Sequence, residues 1–100
     1  MKWIPAALLL ALASSPAHAA LSGFYDSAEQ IGTILSSETV AKALRQAPIG
    51  HVANTGTRED GAHEWQITTQ ECDLTVYLIP VPPKGVGKIT YDLEVGNACQ

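Results

Sequence analysis

The sequence predicts an α+β fold, with one or two N-terminal helices packed on a four-stranded antiparallel meander sheet. Three observations predict it. Apolar residues recur at helical spacing only before Pro48, and after it they alternate with polar residues at period two. A single strand register also gathers the alternating apolar positions on one face and sets the chain's two cysteines opposite each other.

The first 19 residues read as a cleaved secretory signal peptide that takes no part in the fold. Lys2 supplies the positive charge, Trp3 to Ala13 the apolar stretch, and Ala17-His18-Ala19 the small-x-small site for a cut after Ala19. The apolar stretch falls short of the ~20 residues of a spanning helix. No cysteine lies near the cut to take a lipid. The expected product is a single small domain, residues 20–100, in the periplasm or secreted.

Without Lys2 that domain carries five basic residues against ten acidic ones, a formal charge of −5. Such a balance speaks against nucleic-acid or anionic-membrane binding, both of which need a basic footprint. Its 81 residues are near the lower limit for a self-sufficient core, so a staple is expected. Cys72 and Cys99 supply one in an oxidising compartment. Chain-entropy arguments put a loop of this length at roughly 3–4 kcal/mol of stabilisation.

After a short lead-in from Leu21 to Tyr25, Ser27 is expected to cap the first helix, with Gln30 completing a capping box. Ile31, Ile34 and Leu35 share a face of that helix. Ser36-Ser37-Glu38 reads as a second helix start, and Val40, Ala43, Leu44 and Ala47 form its apolar side until Pro48 ends it. One kinked helix is the alternative to two. A weak strand is expected over Ile49–Thr57, then a tight turn at Arg58-Glu59-Asp60-Gly61. Three clearer strands follow, around His63–Thr69, Cys72–Leu78 and Ile89–Val95.

With Gln70-Glu71 as a two-residue turn, Thr69 faces Cys72, Ile67 faces Leu74, Trp65 faces Val76 and His63 faces Leu78. With the last hairpin centred between Gly85 and Val86, Cys72 faces Cys99, Val76 faces Val95, Leu78 faces Leu93 and Pro80 faces Tyr91. The apolar residues of all three strands then share one face. The opposite face carries Glu64, Tyr77 and Glu94 side by side among Gln66, Thr75 and Asp92.

No catalytic constellation emerges. The hairpin places His63 near Thr57 and His51 near Thr69, about 20 Å apart at ~3.3 Å per residue. No metal site using both is therefore expected, and His63-Glu64 is not an H-E-x-x-H motif because position 67 is Ile67. Glu64 and Glu94 lie two strand spacings apart, about 10 Å, on an open face with nothing to split their acidities. They read as a solvated acidic patch centred on Tyr77. Gly85-Val86-Gly87-Lys88 lacks the context of a phosphate loop. No cofactor is expected.

The most distinctive segment is Ile79 to Lys88, which joins the last two strands. Pro82 and Pro83 stiffen it toward polyproline II, and Lys84 and Lys88 make it basic on an acidic domain. Helix followed by a four-stranded antiparallel sheet resembles, in layout, the cystatin-like proteins and small PepSY-type domains. The Q-x-V-x-G hairpin motif of cystatins is missing, its place held by His51-Val52-Ala53-Asn54-Thr55-Gly56. The resemblance therefore implies no site residue.

The leading expectation is a small exported, disulfide-stapled, non-enzymatic protein that binds another protein, as an inhibitor or accessory factor. Its contact surface is expected at Pro82, Pro83, Lys84 and Lys88, or at the Glu64–Tyr77–Glu94 patch. The alternative is a small-ligand binder with a pocket between helices and sheet near Trp65 and Tyr91. An enzyme ranks last.

Overall fold

Helix α1 spans Gly23–Leu35 and helix α2 spans Glu38–Ala43, followed by strands β1 (His51–Thr57), β2 (His63–Thr68), β3 (Asp73–Val81) and β4 (Thr90–Val95). The structure is a computed structural model that describes residues 22–97 and Cys99. The expected signal peptide and its cleavage site lie outside the described residues. The strands form one antiparallel sheet in the order β1-β2-β3-β4, a meander, and the two helices pack on it. The fold is α+β.

Helix α1 begins earlier than the capping box suggested. Ser22 is the N-cap and its hydroxyl accepts a hydrogen bond from the Tyr25 N–H. Ser27 therefore lies inside the helix, and Gln30 points its side chain at the sheet instead of back at a cap. A serine cap followed by Asp26 in the first turn satisfies the helix start as well as S-x-x-Q does.

The break near Ser36 is real and makes two helices. The Ser36 N–H and hydroxyl both donate to the Gly32 carbonyl, at 3.0 and 2.8 Å. Ser37 caps α2 by accepting from the Val40 N–H.

Helix α2 stops at Ala43, before Pro48 can act. Arg45 and Gln46 take left-handed φ values of 57° and 59°. The Arg45 N–H bonds the Lys42 carbonyl and the Gln46 N–H bonds the Ala41 carbonyl, both close to 3 Å. This is a Schellman closure, with arginine where glycine is usual.

The β2–β3 and β3–β4 registers match the alternation arithmetic. Trp65 faces Val76, Ile67 faces Leu74, His63 faces Leu78, Leu78 faces Leu93 and Pro80 faces Tyr91. The Gly96 N–H bonds the Thr75 carbonyl at 2.8 Å and carries the ladder toward Cys72 and Cys99. Those two cysteines form a disulfide across a Cα separation of 5.6 Å.

The β1–β2 register differs by one residue at its far end. Thr57 faces His63 as expected, but a bulge between Asn54 and Gly56 sets His51 opposite Thr68 and not Thr69. β1 itself starts at His51, although the Gly50 N–H still reaches the Thr68 carbonyl.

Both tight turns have local explanations. Gly61 adopts φ 92°, a conformation glycine reaches without a Cβ penalty. The Gln70-Glu71 turn is held by Thr69, whose hydroxyl accepts from the N–H groups of Glu71 and Cys72.

The core joins Ile34, Val40 and Leu44 of the helical half to Trp65, Ile67, Leu74, Val76 and Leu78 of the central strands. Tyr91, Leu93 and Val95 of β4 are partly buried against it. Among the described residues, no helix is long and apolar enough to cross a membrane.

Candidate functional site

Three places hold the polar and exposed groups of interest, and the strand alternation decides which face each occupies. On the outer face, Glu64 of β2, Tyr77 of β3 and Glu94 of β4 lie in one cross-strand row. The strand alternation predicts that row but not the side chain that covers it. The guanidinium of Arg58 stacks 4.4 Å from the centre of the Tyr77 ring. It also bonds Glu94 at 3.1 Å and Asp60 at 2.8 Å.

The signal for Arg58 was present in its parity. Thr57 faces inward opposite His63, so Arg58 faces outward, and its long side chain reaches across β2 and β3. Its hydrogen bond and charge hold the exposed Asp60 carboxyl down at about 2, and the same contacts raise Arg58 further above its usual range.

Glu64 accepts a hydrogen bond from the Thr55 hydroxyl at the bulge. Under the Tyr77 ring lies Gly96, where a Cβ would come within 2.9 Å of the ring and 3.2 Å of the Thr75 carbonyl. An aromatic residue laid over a cross-strand glycine covers backbone that no side chain protects. The patch is therefore a hydrogen-bonded plate that keeps a net negative charge, with the single cation Arg58 set among Glu64, Glu94 and Asp60. Its carboxylates are engaged by Arg58 and Thr55, which suits contact with a partner more than proton transfer.

The second place is the connection from β3 to β4. β3 runs to Val81, so the Ile79–Val81 part of the expected loop is strand and the loop proper begins at Pro82. Pro80 fits there because the Gly96–Thr75 bond puts the nitrogens of even-numbered β3 residues on the β2 side. β2 ends opposite Leu78, so Pro80 needs no N–H. Pro82, Pro83, Lys84 and Lys88 are all exposed. Val86 at the tip is 100% exposed. Lys88 does not wave freely, because its ammonium lies 2.9 Å from the Glu29 carboxylate on α1.

The third place lies between α1 and the sheet. Gln30, 4% exposed, accepts a hydrogen bond from the Trp65 indole N–H at 2.9 Å and donates to Asp26 and to the Tyr91 hydroxyl. The Tyr91 hydroxyl donates to Asp26 at 2.7 Å. Burial, together with that carboxylate, pushes the Tyr91 phenol up to about 12. The His63 ring meets Tyr91 edge-on at 5.8 Å.

Beside Trp65 and Tyr91, where a ligand pocket was expected, Gln30 and Asp26 make these hydrogen bonds. Two open grooves lie elsewhere and share Ala47 and Ile49. One of about 360 Å³ runs along Ala47–Gly50 and Thr68–Glu71, and one of about 250 Å³ lies among Leu35, Val40 and Leu44. Among the described residues, no group of three histidines, cysteines or carboxylates stands close enough to hold a metal ion.

Comparison with protein-family models, with curated proteins and with solved structures finds no match to this chain.

Proposed function

We propose that this chain is an exported, disulfide-stapled domain that acts without catalysis by binding another protein, as an inhibitor or accessory factor of an exported enzyme. The observation that carries the reading is the β3–β4 loop. A fully exposed valine stands at the tip of a diproline connection that is held at its far end by the Lys88–Glu29 ion pair. Apolar groups left in water on a stiff, pre-shaped segment lose little conformational freedom when a partner covers them, so more of the contact energy appears as affinity. The Cys72–Cys99 disulfide and the signal-like N-terminus support export to an oxidising compartment.

The test is capture from an extract of the exported fraction by the immobilised chain. Wild type is compared with a variant in which residues 82–88 are replaced by Gly and Ser. The reading expects a discrete partner retained by wild type and lost by the variant. Equal retention by both removes the loop from the account. Retention by neither, with the disulfide intact, removes the protein-binding reading itself.

A further inference from the structure

Six large apolar side chains are exposed among the described residues, and four of them stand at one end of the fold. They are Phe24 and Tyr25 in the first turn of α1, Val86 at the loop tip and Ile89 at the foot of the loop. Two contacts bring these segments together. Lys88 of the loop pairs with Glu29, and Tyr91 just past Ile89 donates to Asp26. Tyr25 precedes Glu29 by four residues, so the two are neighbours along one helix stripe. Phe24 and Tyr25 are 74% and 62% exposed and stack edge to face at 5.1 Å. These two contacts thus hold the foot of the loop that carries Val86 against the helix whose first turn carries the aromatic pair.

Charge is arranged unevenly around this surface. Of the domain's five basic residues, Arg58 is held by Asp60 and Glu94 and Lys88 by Glu29. Lys84, two residues from Val86, makes no ion pair among the described residues; the other two cations without one, Lys42 and Arg45, belong to α2 and its C-terminal end, so Lys84 is the unpaired cation of the loop. A second copy of this chain is disfavoured as occupant by its like net charge.

We infer that Phe24, Tyr25, Val86 and Lys84 form one contact surface, and that it fits a partner protein whose apolar cleft is rimmed by carboxylates. The inference rests on the protein-binding reading above and specifies its site. Val86, between Gly85 and Gly87, enters the cleft with no bulky neighbour. The aromatic pair covers the cleft's edge, and Lys84 meets the acidic rim. Such a rim contact steers encounter and weakens with salt.

The experiment places a photo-crosslinking phenylalanine analogue singly at Tyr25, at Val86 and, as a control on the opposite sheet face, at Tyr77. The full chain is used with its disulfide formed. Adducts are mapped by mass spectrometry. The expected result is adduct formation with the same protein from positions 25 and 86 but not 77. The crosslinked peptide should contain or adjoin Asp or Glu residues. Yield should fall about tenfold or more with Lys84→Glu, corresponding to at least ~1.4 kcal/mol, and should fall with added salt.

A partner seen only from position 77 overturns this surface while leaving the protein-binding reading standing. Adducts from position 86 that are indifferent to Lys84→Glu and to salt overturn the acidic cleft. Adducts with lipid alone overturn both surface and partner class. Adducts from no position overturn the protein-binding reading as well.

Discussion

Gln30 is the residue on which the helix-to-sheet junction depends. Its carbonyl satisfies the Trp65 indole and its amide satisfies Asp26 and Tyr91, so one side chain closes a mostly buried polar network that crosses from α1 to β2 and β4. Replacing it by leucine leaves the Trp65 N–H without a partner inside the protein. Gln30→Leu is expected to cost about 1–3 kcal/mol, read as a lower urea midpoint at unchanged slope.

Tyr91 adds a pH dependence to the same network. Its phenol ionises at about 12 in the folded chain against the usual 10.0. The unfolded chain therefore loses this proton first as pH rises. The stability contributed by the neutral phenol is complete below pH 10 and is lost as pH climbs through about 12. Denaturant unfolding followed between those pH values should show a steeper decline for wild type than for Tyr91→Phe, and parallel curves would refute the assignment.

None of these contacts was legible in the sequence. Gln30 read as a capping residue because S-x-x-Q is a local pattern; Asp26 lies one turn away, but the partners of Gln30 on the sheet, Trp65 and Tyr91, lie 35 and 61 residues away. The parity of Arg58 gave its face, but its contact with Glu94 was missed because that partner is 36 residues on.

At the scale of elements, period and parity carry the most information and ends carry the least. Alternation fixed β2, β3 and β4 and their pairing because a slip of one residue would expose every core side chain of a strand. β1 was weaker in sequence and is shifted in fact. Its bulge at Thr55 is stabilised by hydrogen bonds to Glu64 that no hydrophobic pattern reports. The helix ends moved for a related reason. Ser22 and Ser27 are equally good caps in isolation, and only packing chooses between them.

Helix α2 ends through backbone geometry that its residues do not favour. Left-handed φ costs a non-glycine residue roughly 1–2 kcal/mol, and α2 is followed by two such residues in succession. Arg45 is exposed, makes no ion pair among the described residues and occupies the position where glycine usually stands. Arg45→Gly is expected to stabilise the fold by up to about 1 kcal/mol, after the greater freedom of glycine in the unfolded chain is subtracted. Thermal unfolding checks this, and a lower midpoint would show that Arg45 makes a contribution unrelated to its backbone.

Across the whole molecule, two fasteners hold opposite ends of the sheet. The disulfide joins the start of β3 to the chain beyond β4. The Asp26–Tyr91 and Glu29–Lys88 contacts tie the other end of that hairpin to α1. The hairpin is thus clamped at both ends, and its loop is presented to solvent in a defined place. The disulfide was legible because the strand register and the cysteine positions agree. The brace was not, because Lys88 and Glu29 are 59 residues apart and neither lies in a repeating pattern. The sequence singled out the loop itself, from its prolines and lysines.

The claim that this loop is the binding element is tested most directly by calorimetric titration of the captured partner. One titration uses wild-type chain and the other the chain with residues 82–88 replaced by Gly and Ser, both with the Cys72–Cys99 disulfide formed. The account predicts that affinity falls at least about tenfold, or ~1.4 kcal/mol, while α1 and the sheet remain folded by circular dichroism. Equal affinities for two equally folded chains would contradict it.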